Sequence, residues 1–373
     1  MTFEIVTTRN CNLNCKYCFE GEKKDEFMDP KMIPAIFDFI KVQKNKDYVL
    51  DQENIHIDFN GGETLLNIKF IKAFLKNMQN NNIHFSLTTN GILLDDSIIE
   101  LIKKYNITIQ ISLDGMKKTH DENRIFYNGK GSFEIVLNKL KKLQRKCNKN
   151  CFQIASVVTP KTVKYFYENF IFFIENCFTQ IVTTCCSDYS WASSDFSEFE
   201  KQLHLIGDKY IECYKNNIYI DFSLFNKNIS NSINGLIKRE CDAITGEIAI
   251  LPNGSILPCG GFVGCHNEKD FYIGDIYNGI DDNKAKSYLK FNSRLENNEC
   301  KNCKLFHRCQ NDCLALNNRV NKNVLIPDEV TCQLNQIAIK ESDRILEYFI
   351  TSKNTCFLEH YKNDLKAVGF EIN

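Results

Sequence analysis

Net charge is almost absent from this chain: 46 Lys and Arg stand against 47 Asp and Glu, leaving −1 over 373 residues. That balance removes the usual reason to expect a polyanionic partner, whether nucleic acid or an anionic membrane. No apolar run approaches the roughly 20 residues that a membrane-spanning helix needs. The opening MTFEIVTTRN has none of the basic, apolar and cleavage-site order of a secretion signal, and a cytoplasmic location is expected. Internal repeats, low-complexity tracts and disordered linkers are missing too, so the whole chain reads as packed structure. Cysteine, by contrast, is abundant, with 18 in all. Without a secretion signal, and with tight ligand-like spacings, these thiols are expected to be reduced and metal-bound rather than paired as disulfides.

Up to about residue 225 a strand-then-helix rhythm recurs, the pattern of parallel βα units in an α/β fold. The apolar strands are FEIVTT (3–8), IHIDFNG (55–61), HFSLTTNG (84–91), ITIQISLDG (107–115), FQIASVVT (152–159) and TQIVTTCC (179–186). Six strands suffice for an open barrel, whose functional loops gather at the C-terminal strand ends. Asp29 is expected to cap one intervening helix with Pro30 in its first turn, and Ser132 to cap another. After about residue 230 the rhythm changes. GEIAILPNGSILPC reads as a hairpin about Asn253 and Gly254, a cysteine-dense stretch follows, and residues 333–350 read as helix.

Cys11, Cys15 and Cys18 form C-x3-C-x2-C directly after the first strand. Three thiolates hold three irons of a 4Fe-4S cluster and leave the fourth open to a small molecule. A structural zinc site or a simple electron carrier wants a fourth ligand, and none is supplied locally. The second strand ends in Gly61-Gly62-Glu63, the fourth in ISLDG with Ser112 and Asp114, and Arg124 follows. Taken singly, these read equally as strand-end turns and a solvated charge. Together with the cysteine loop they resemble the radical S-adenosylmethionine (AdoMet, SAM) enzymes.

The resemblance implies a partial (β/α)6 TIM-like barrel in which the open iron chelates AdoMet and an electron cleaves its sulfonium, giving a 5′-deoxyadenosyl radical. It implies that Cys11, Cys15 and Cys18 hold that cluster and that Gly61, Gly62, Glu63, Ser112 and Asp114 surround AdoMet. Arg124 would pair with the AdoMet carboxylate, and Tyr17 would shield the cluster or contact adenine, or else pack in the core. Thr88, Thr89 and Asn90 end the third strand on the same rim, as ligand-facing groups or as turn-formers.

Further on, Cys241, Gly254, Cys259, then Cys300, Cys303, Cys309 and Cys313 as C-x2-C-x5-C-x3-C, and finally Cys332, resemble the seven-cysteine pattern of the SPASM domain. By that resemblance Cys300, Cys303, Cys309 and Cys332 hold one auxiliary 4Fe-4S cluster, and Cys241, Cys259 and Cys313 hold another, three clusters in all. The fourth ligand of the latter stays open, with Cys265 the nearest spare thiol, and zinc ribbons are the other use of such spacings. Cys185 and Cys186 point toward the active rim, the other spare cysteines read as small buried hydrophobes, and His120 and His307 read as packing or surface groups.

The resemblance spans residues 1–225 as barrel and 226–350 as a small cysteine-rich SPASM domain with hairpin and helices, with 351–373 a C-terminal extension. Enzymes of this architecture modify peptides and proteins. A peptide maturase is therefore expected, acting on a ribosomally made, cysteine-containing peptide and installing a thioether or a carbon-carbon crosslink. Its reductant would be a ferredoxin or flavodoxin. Many such maturases begin with a winged-helix recognition domain; here the sequence opens at the first barrel strand, so a separate recognition protein or direct leader docking is expected. The rival is an anaerobic sulfatase maturase, in which an Asp follows the hairpin cysteine as base; here Gly260 stands there. A non-catalytic iron-sulfur or zinc protein would explain the cysteines but not Glu63, Ser112, Asp114 and Arg124 together.

Overall fold

A computed structural model describes residues 1–77, 83–147, 151–235, 241–290, 297–309, 311 and 313–367. The chain forms two discontinuous compact units: residues 1–113, 120–152 and 241–291, and residues 114–119, 153–240 and 292–373. The boundaries expected at 225 and 350 concern modules along the sequence and remain a proposal. The contact units cut the chain differently, grouping the hairpin with the N-terminal strands. No helix among the described residues is long and apolar enough to cross a membrane.

In the first unit β1 (Thr2–Thr8), β2 (Ile55–Gly61), β3 (Ile83–Thr89) and β4 (Thr108–Ser112) run parallel in that order. On the other side of β1 lies β8 (Glu247–Ile250), also parallel to it, with Phe3 beside Ile248. The expected hairpin follows: β8 turns into antiparallel β9 (Ser255–Leu257), which β10 (Gly274–Asp275) and β11 (Gly279–Ile280) extend. Strand alternation sorts the side chains onto two faces. Phe3, Ile5, Ile57, Phe59, Phe85 and Leu87 are buried on one face. Two helices cover it, α1 (Ile33–Gln43) and α2 (Ile68–Asn77), with Phe39 edge-on to Phe3 and Phe74 edge-on to Phe59 at 5.3 Å. Phe59→Ala should lower the unfolding free energy by about 3–5 kcal/mol, since the ring also stacks on Phe85 and its removal leaves a cavity; urea denaturation measures this.

Asp29 caps as expected, accepting the Lys31 amide at 2.9 Å with Pro30 in the first turn. Ser132 does not. Its hydroxyl donates to the Arg124 carbonyl and meets His120 Nε2, while Asp121 Oδ1 accepts the Phe133 amide at the start of the helix Phe133–Lys146. His120 is fully buried against Phe133 and is a packing residue, as expected; His307 is exposed.

In the second unit β5 (Phe152–Val158), β6 (Gln180–Cys185) and the two-residue β7 (Asp221–Phe222) run parallel. Aromatic packing holds its helices: Phe166 stacks on Phe199 at 5.8 Å, and Phe222 meets both Phe170 and Phe225 at 5.1 Å. The helix expected at 333–350 is Glu329–Ser352, capped by Asp328. All six strands read from the sequence are present; β7, β10 and β11 are additional.

Candidate functional site

Cys11 is buried and Cys15 and Cys18 are half-buried in the loop that leaves β1. Backbone contacts fix that loop from two sides. Asn14 and Lys16 donate to the carbonyls of Ile125 and Asn123, while Gly62 and Glu63 donate to those of Thr8 and Asn10. The glycines of Gly61-Gly62-Glu63 are needed for this approach. A Cβ on Gly61, at φ +136°, would lie 2.3 Å from the Thr8 carbonyl oxygen, and one on Gly62 would lie 2.4 Å from that of Asn10.

Glu63 is only 1% exposed, and its carboxylate accepts from the Leu65 amide, the Thr89 hydroxyl and the Asn90 amide at 2.7–3.0 Å. Burial raises its pKa, and those three donors pull it back. Its oxygens are engaged within the chain, tying the end of β2 to the end of β3. Asn90 continues the latch: its amide donates to Asn12 Oδ1 at 2.7 Å and approaches Cys11 Sγ at 3.8 Å. Thr89 and Asn90 therefore support the cysteine loop.

Arg124 is buried, with its guanidinium 5.3 Å from the Tyr17 ring centroid, so these two expected AdoMet contacts meet beside the cysteine loop. Ser112 is buried at the end of β4. In the second unit Asp114 is buried and accepts the Val157 amide at 3.1 Å, which anchors it to the end of β5. Cys186 binds the same strand end through its amide and the Val158 carbonyl, and burial pushes its thiol up to about 11 and that of Cys185 up to about 12. Both are protonated at neutral pH.

Among the later cysteines, the Ile244 amide donates to the Pro258 carbonyl and draws the segment after Cys241 against the hairpin end before Cys259. Cys265 is buried on the same loop as Cys259, and both thiols act on the hydroxyl of the half-buried Tyr288, whose pKa is raised chiefly by burial. In the second unit Asn311 donates to the Asp328 carbonyl and links the Cys309 turn to the helix that carries Cys332. Cys313 is exposed at the start of the helix Leu314–Asn321, and Cys300 is half-buried.

The face of the β1–β3 sheet opposite α1 and α2 holds a layer that sequence reading missed. Glu4, Asp58 and Ser86 are register neighbours, Ser86 donates to Asp58, and Asn60 donates to Glu4. Glu247 of β8 hydrogen-bonds Glu4, which is driven well above the usual carboxylate range, first by burial and then by Glu247 and Asp58. Gly260 closes the layer. Its amide donates to Glu247 Oε1 at 3.1 Å, and a Cβ built on it would fall 1.7 Å from Glu4 Oε2. The Glu4 carboxyl thus fills the volume where a side chain at position 260 would project. The one available signal was the alternation of polar with apolar residues along these strands.

Asp58 gives a stability test. Burial raises its pKa from 3.8 to about 6, with Ser86 opposing. The native state therefore holds this proton more tightly than the unfolded chain, and stability falls as pH rises from about 4 through 6. Asp58→Asn should be more stable than the parent above pH 6, by at most about 3 kcal/mol, with the gain vanishing toward pH 4. Urea midpoints at pH 4.5 and 7.5 read the difference.

Residues 5–168 match the Radical SAM superfamily. This segment is a radical SAM domain. Among curated proteins, this radical SAM chain is 26% identical over 364 residues to the radical SAM cyclopropyl synthase TigE of Paramaledivibacter caminithermalis, covering 90% of this chain and 72% of that protein. It is 27% identical over 357 residues to a cysteine-type anaerobic sulfatase-maturating enzyme of Clostridium novyi, covering 87% and 90%. The fold matches anSMEcpe with bound AdoMet at a TM-score of 0.76 and 21% identity, covering 93% of this chain and 98% of that one. It matches Streptococcus suis SuiB bound to its precursor peptide SuiA at 0.59 and 20%, covering 89% and 75%.

A radical SAM enzyme works with a 4Fe-4S cluster and AdoMet, and the residues present fit the cluster. Three thiols share one loop, one per iron, and donors already point at sulfur: the Leu13 amide at Cys11 (3.4 Å) and the Lys23 ammonium at Cys18 (2.9 Å). Burial and the neighbouring Glu63 raise the Cys11 thiol to about 12, against the pull of the Leu13 amide and Lys23, so iron held there would displace a proton. Cys303, Cys309 and Cys332 likewise accept N–H donors, from Leu305, Asn311 and Gln336 at 3.3–3.4 Å.

Proposed function

We propose that the protein is a peptide maturase that removes two hydrogens from a ribosomally made, cysteine-containing peptide and closes a crosslink, with a thioether favoured. Cys11, Cys15 and Cys18 hold the cluster that supplies one electron to AdoMet. Arg124, backed by Tyr17, takes the AdoMet carboxylate, the Gly61 and Gly62 carbonyls take its ammonium, and Ser112 and Asp114 take its ribose. The cysteines from Cys241 to Cys332 hold two auxiliary clusters in a SPASM domain. A peptide substrate is supported by the structural relatives, two of which carry peptides: SuiB with SuiA, and anSMEcpe with the Cp18Cys peptide.

The observation that carries the reading is the cysteine loop held between Gly62-Glu63 and Asn123–Ile125 beside Arg124. Anaerobic reconstitution with dithionite and AdoMet should release 5′-deoxyadenosine. Mass spectrometry of a cysteine-containing peptide should show loss of two hydrogens and a thiol that no longer alkylates. Failure to form deoxyadenosine removes the enzymatic reading, while free thiols in the product remove the thioether.

One observation favours a second reading, sulfatase maturation by oxidation of Cys or Ser to formylglycine. Gly260 lacks the carboxylate expected after the hairpin cysteine, but Glu4, bonded to Glu247, brings one to that volume. A sulfatase peptide turned over to the aldehyde, in preference to any crosslink, would decide for it.

A further inference from the structure

Lys23 stands outside the expected AdoMet contacts, yet its ammonium is 2.9 Å from Cys18 Sγ and its side chain is 13% exposed. The segment that carries it is anchored on both sides. Lys24 donates to the Arg9 carbonyl and Arg9 to the Glu26 carbonyl, so the chain after Cys18 folds back along the end of β1. Gly264, at φ +75°, packs so closely on Glu20 that a Cβ there would lie 2.5 Å from the Glu20 backbone. A buried ion pair, Arg9 with Glu268 at 2.7 Å, and the Gly264 amide on Glu268 close the ring. Burial leaves Lys23 little freedom to withdraw to solvent.

The surrounding charges leave a net bias. Glu20 faces Lys23 at 3.5 Å, longer than the ammonium-sulfur contact, and Arg9 is occupied by Glu268. Glu63, near Cys11, is committed to its three hydrogen bonds. Lys23 is therefore a cation placed directly against a ligand sulfur. Potentials of iron-sulfur sites respond to local charge and to hydrogen bonds at sulfur, and a positive charge at this range favours the state that holds one more electron.

We propose that Lys23 is a tuning residue that makes the Cys11/Cys15/Cys18 cluster easier to reduce by one electron from the external reductant. No bond forms or breaks in that step. The proposal rests on reading this loop as the cluster site, and a Cys15→Ala control tests that reading separately.

The test is a dithionite redox titration of the full-length, iron-reconstituted chain followed by electron paramagnetic resonance, with iron content measured in parallel. The signal missing from Cys15→Ala is assigned to the loop. In Lys23→Met the reduced-to-oxidised ratio at the parent midpoint should fall about tenfold, a shift of about 59 mV to more negative potential for one electron. Lys23→Arg should stay within about twofold. A Lys23→Met titration that overlays the parent overturns the proposal. If Lys23→Met fails to load iron, Lys23→Gln takes its place; loss of the cluster in both, with loading kept in Lys23→Arg, overturns tuning in favour of an assembly role. A Cys15→Ala protein that keeps every signal overturns the loop reading and the proposal with it.

Discussion

Cys15→Ala is expected to abolish AdoMet cleavage and to leave iron bound at the cysteines from Cys241 onward, the proposed auxiliary-cluster ligands. Two thiols hold only two irons of a cubane, so on the proposed assignment the loop should lose its cluster and with it the electron for AdoMet. The fold should survive, because Cys15 is a half-buried loop residue and the loop backbone is fixed by Asn14, Lys16, Gly62 and Glu63 rather than by its sulfur. The later cysteines have their own supports, the Ile244 amide on the Pro258 carbonyl and Asn311 on the Asp328 carbonyl. If three clusters are present in the parent, the variant keeps about two-thirds of the iron. Deoxyadenosine should fall below detection with circular dichroism unchanged. Cleavage at the parent rate would refute the assignment, and retention of much less than two-thirds of the iron would refute the three-cluster count.

The second large effect concerns the fate of a proton. Removing two hydrogens from a peptide takes one away as an atom, to the adenosyl radical, and the other as a proton and an electron. Glu4, driven well above the usual carboxylate range, already holds a proton and gives it to Glu247 in their hydrogen bond, so the acceptor that the carboxyl layer offers is Glu247. Glu4 and Glu247 share a hydrogen bond beside Gly260, directly after Cys259. Replacing both, Glu4→Gln with Glu247→Gln, should lower the yield of oxidised peptide by about 10²–10⁴-fold, the usual weight of general acid-base catalysis. Deoxyadenosine should still form, since these carboxyls are not among the groups assigned to AdoMet. Folding should not suffer, because the buried carboxyl that burial drives furthest from its ordinary range is gone. Peptide oxidised at the parent rate would show that the proton leaves by another route.

Legibility in the sequence followed the range of the interactions. The six strands were readable because each is an apolar run closed by a polar turn, and the Asn253-Gly254 hairpin because its turn chemistry is local. The cysteine loop was readable from spacing alone. What was missed depends on register or on tertiary competition. Ser132 sits where a cap belongs, yet His120 and the Arg124 carbonyl take its hydroxyl and Asp121 does the capping. The latch from Glu63 to Thr89, Asn90 and Leu65 is set by the pairing of β2 with β3, which the Gly-Gly-Glu motif does not announce. The acid layer needed two registers at once, Glu4 beside Asp58 and β8 beside β1, and no one-dimensional pattern contains the second.

That second register bears on how the chain is made. β1 leaves the ribosome before either of its partners, and β2 covers one of its edges soon after, but its other partner is β8, with Phe3 beside Ile248. At the usual 5–20 residues per second, β1 waits about 10–50 s for that neighbour. Throughout that interval its backbone amides and carbonyls form an open template next to Phe3 and Ile5, where a second nascent chain can add a strand. Slow translation through residues 8–246 would lengthen the hazard, and a chaperone that masks this edge would raise soluble yield more than one acting on the finished protein.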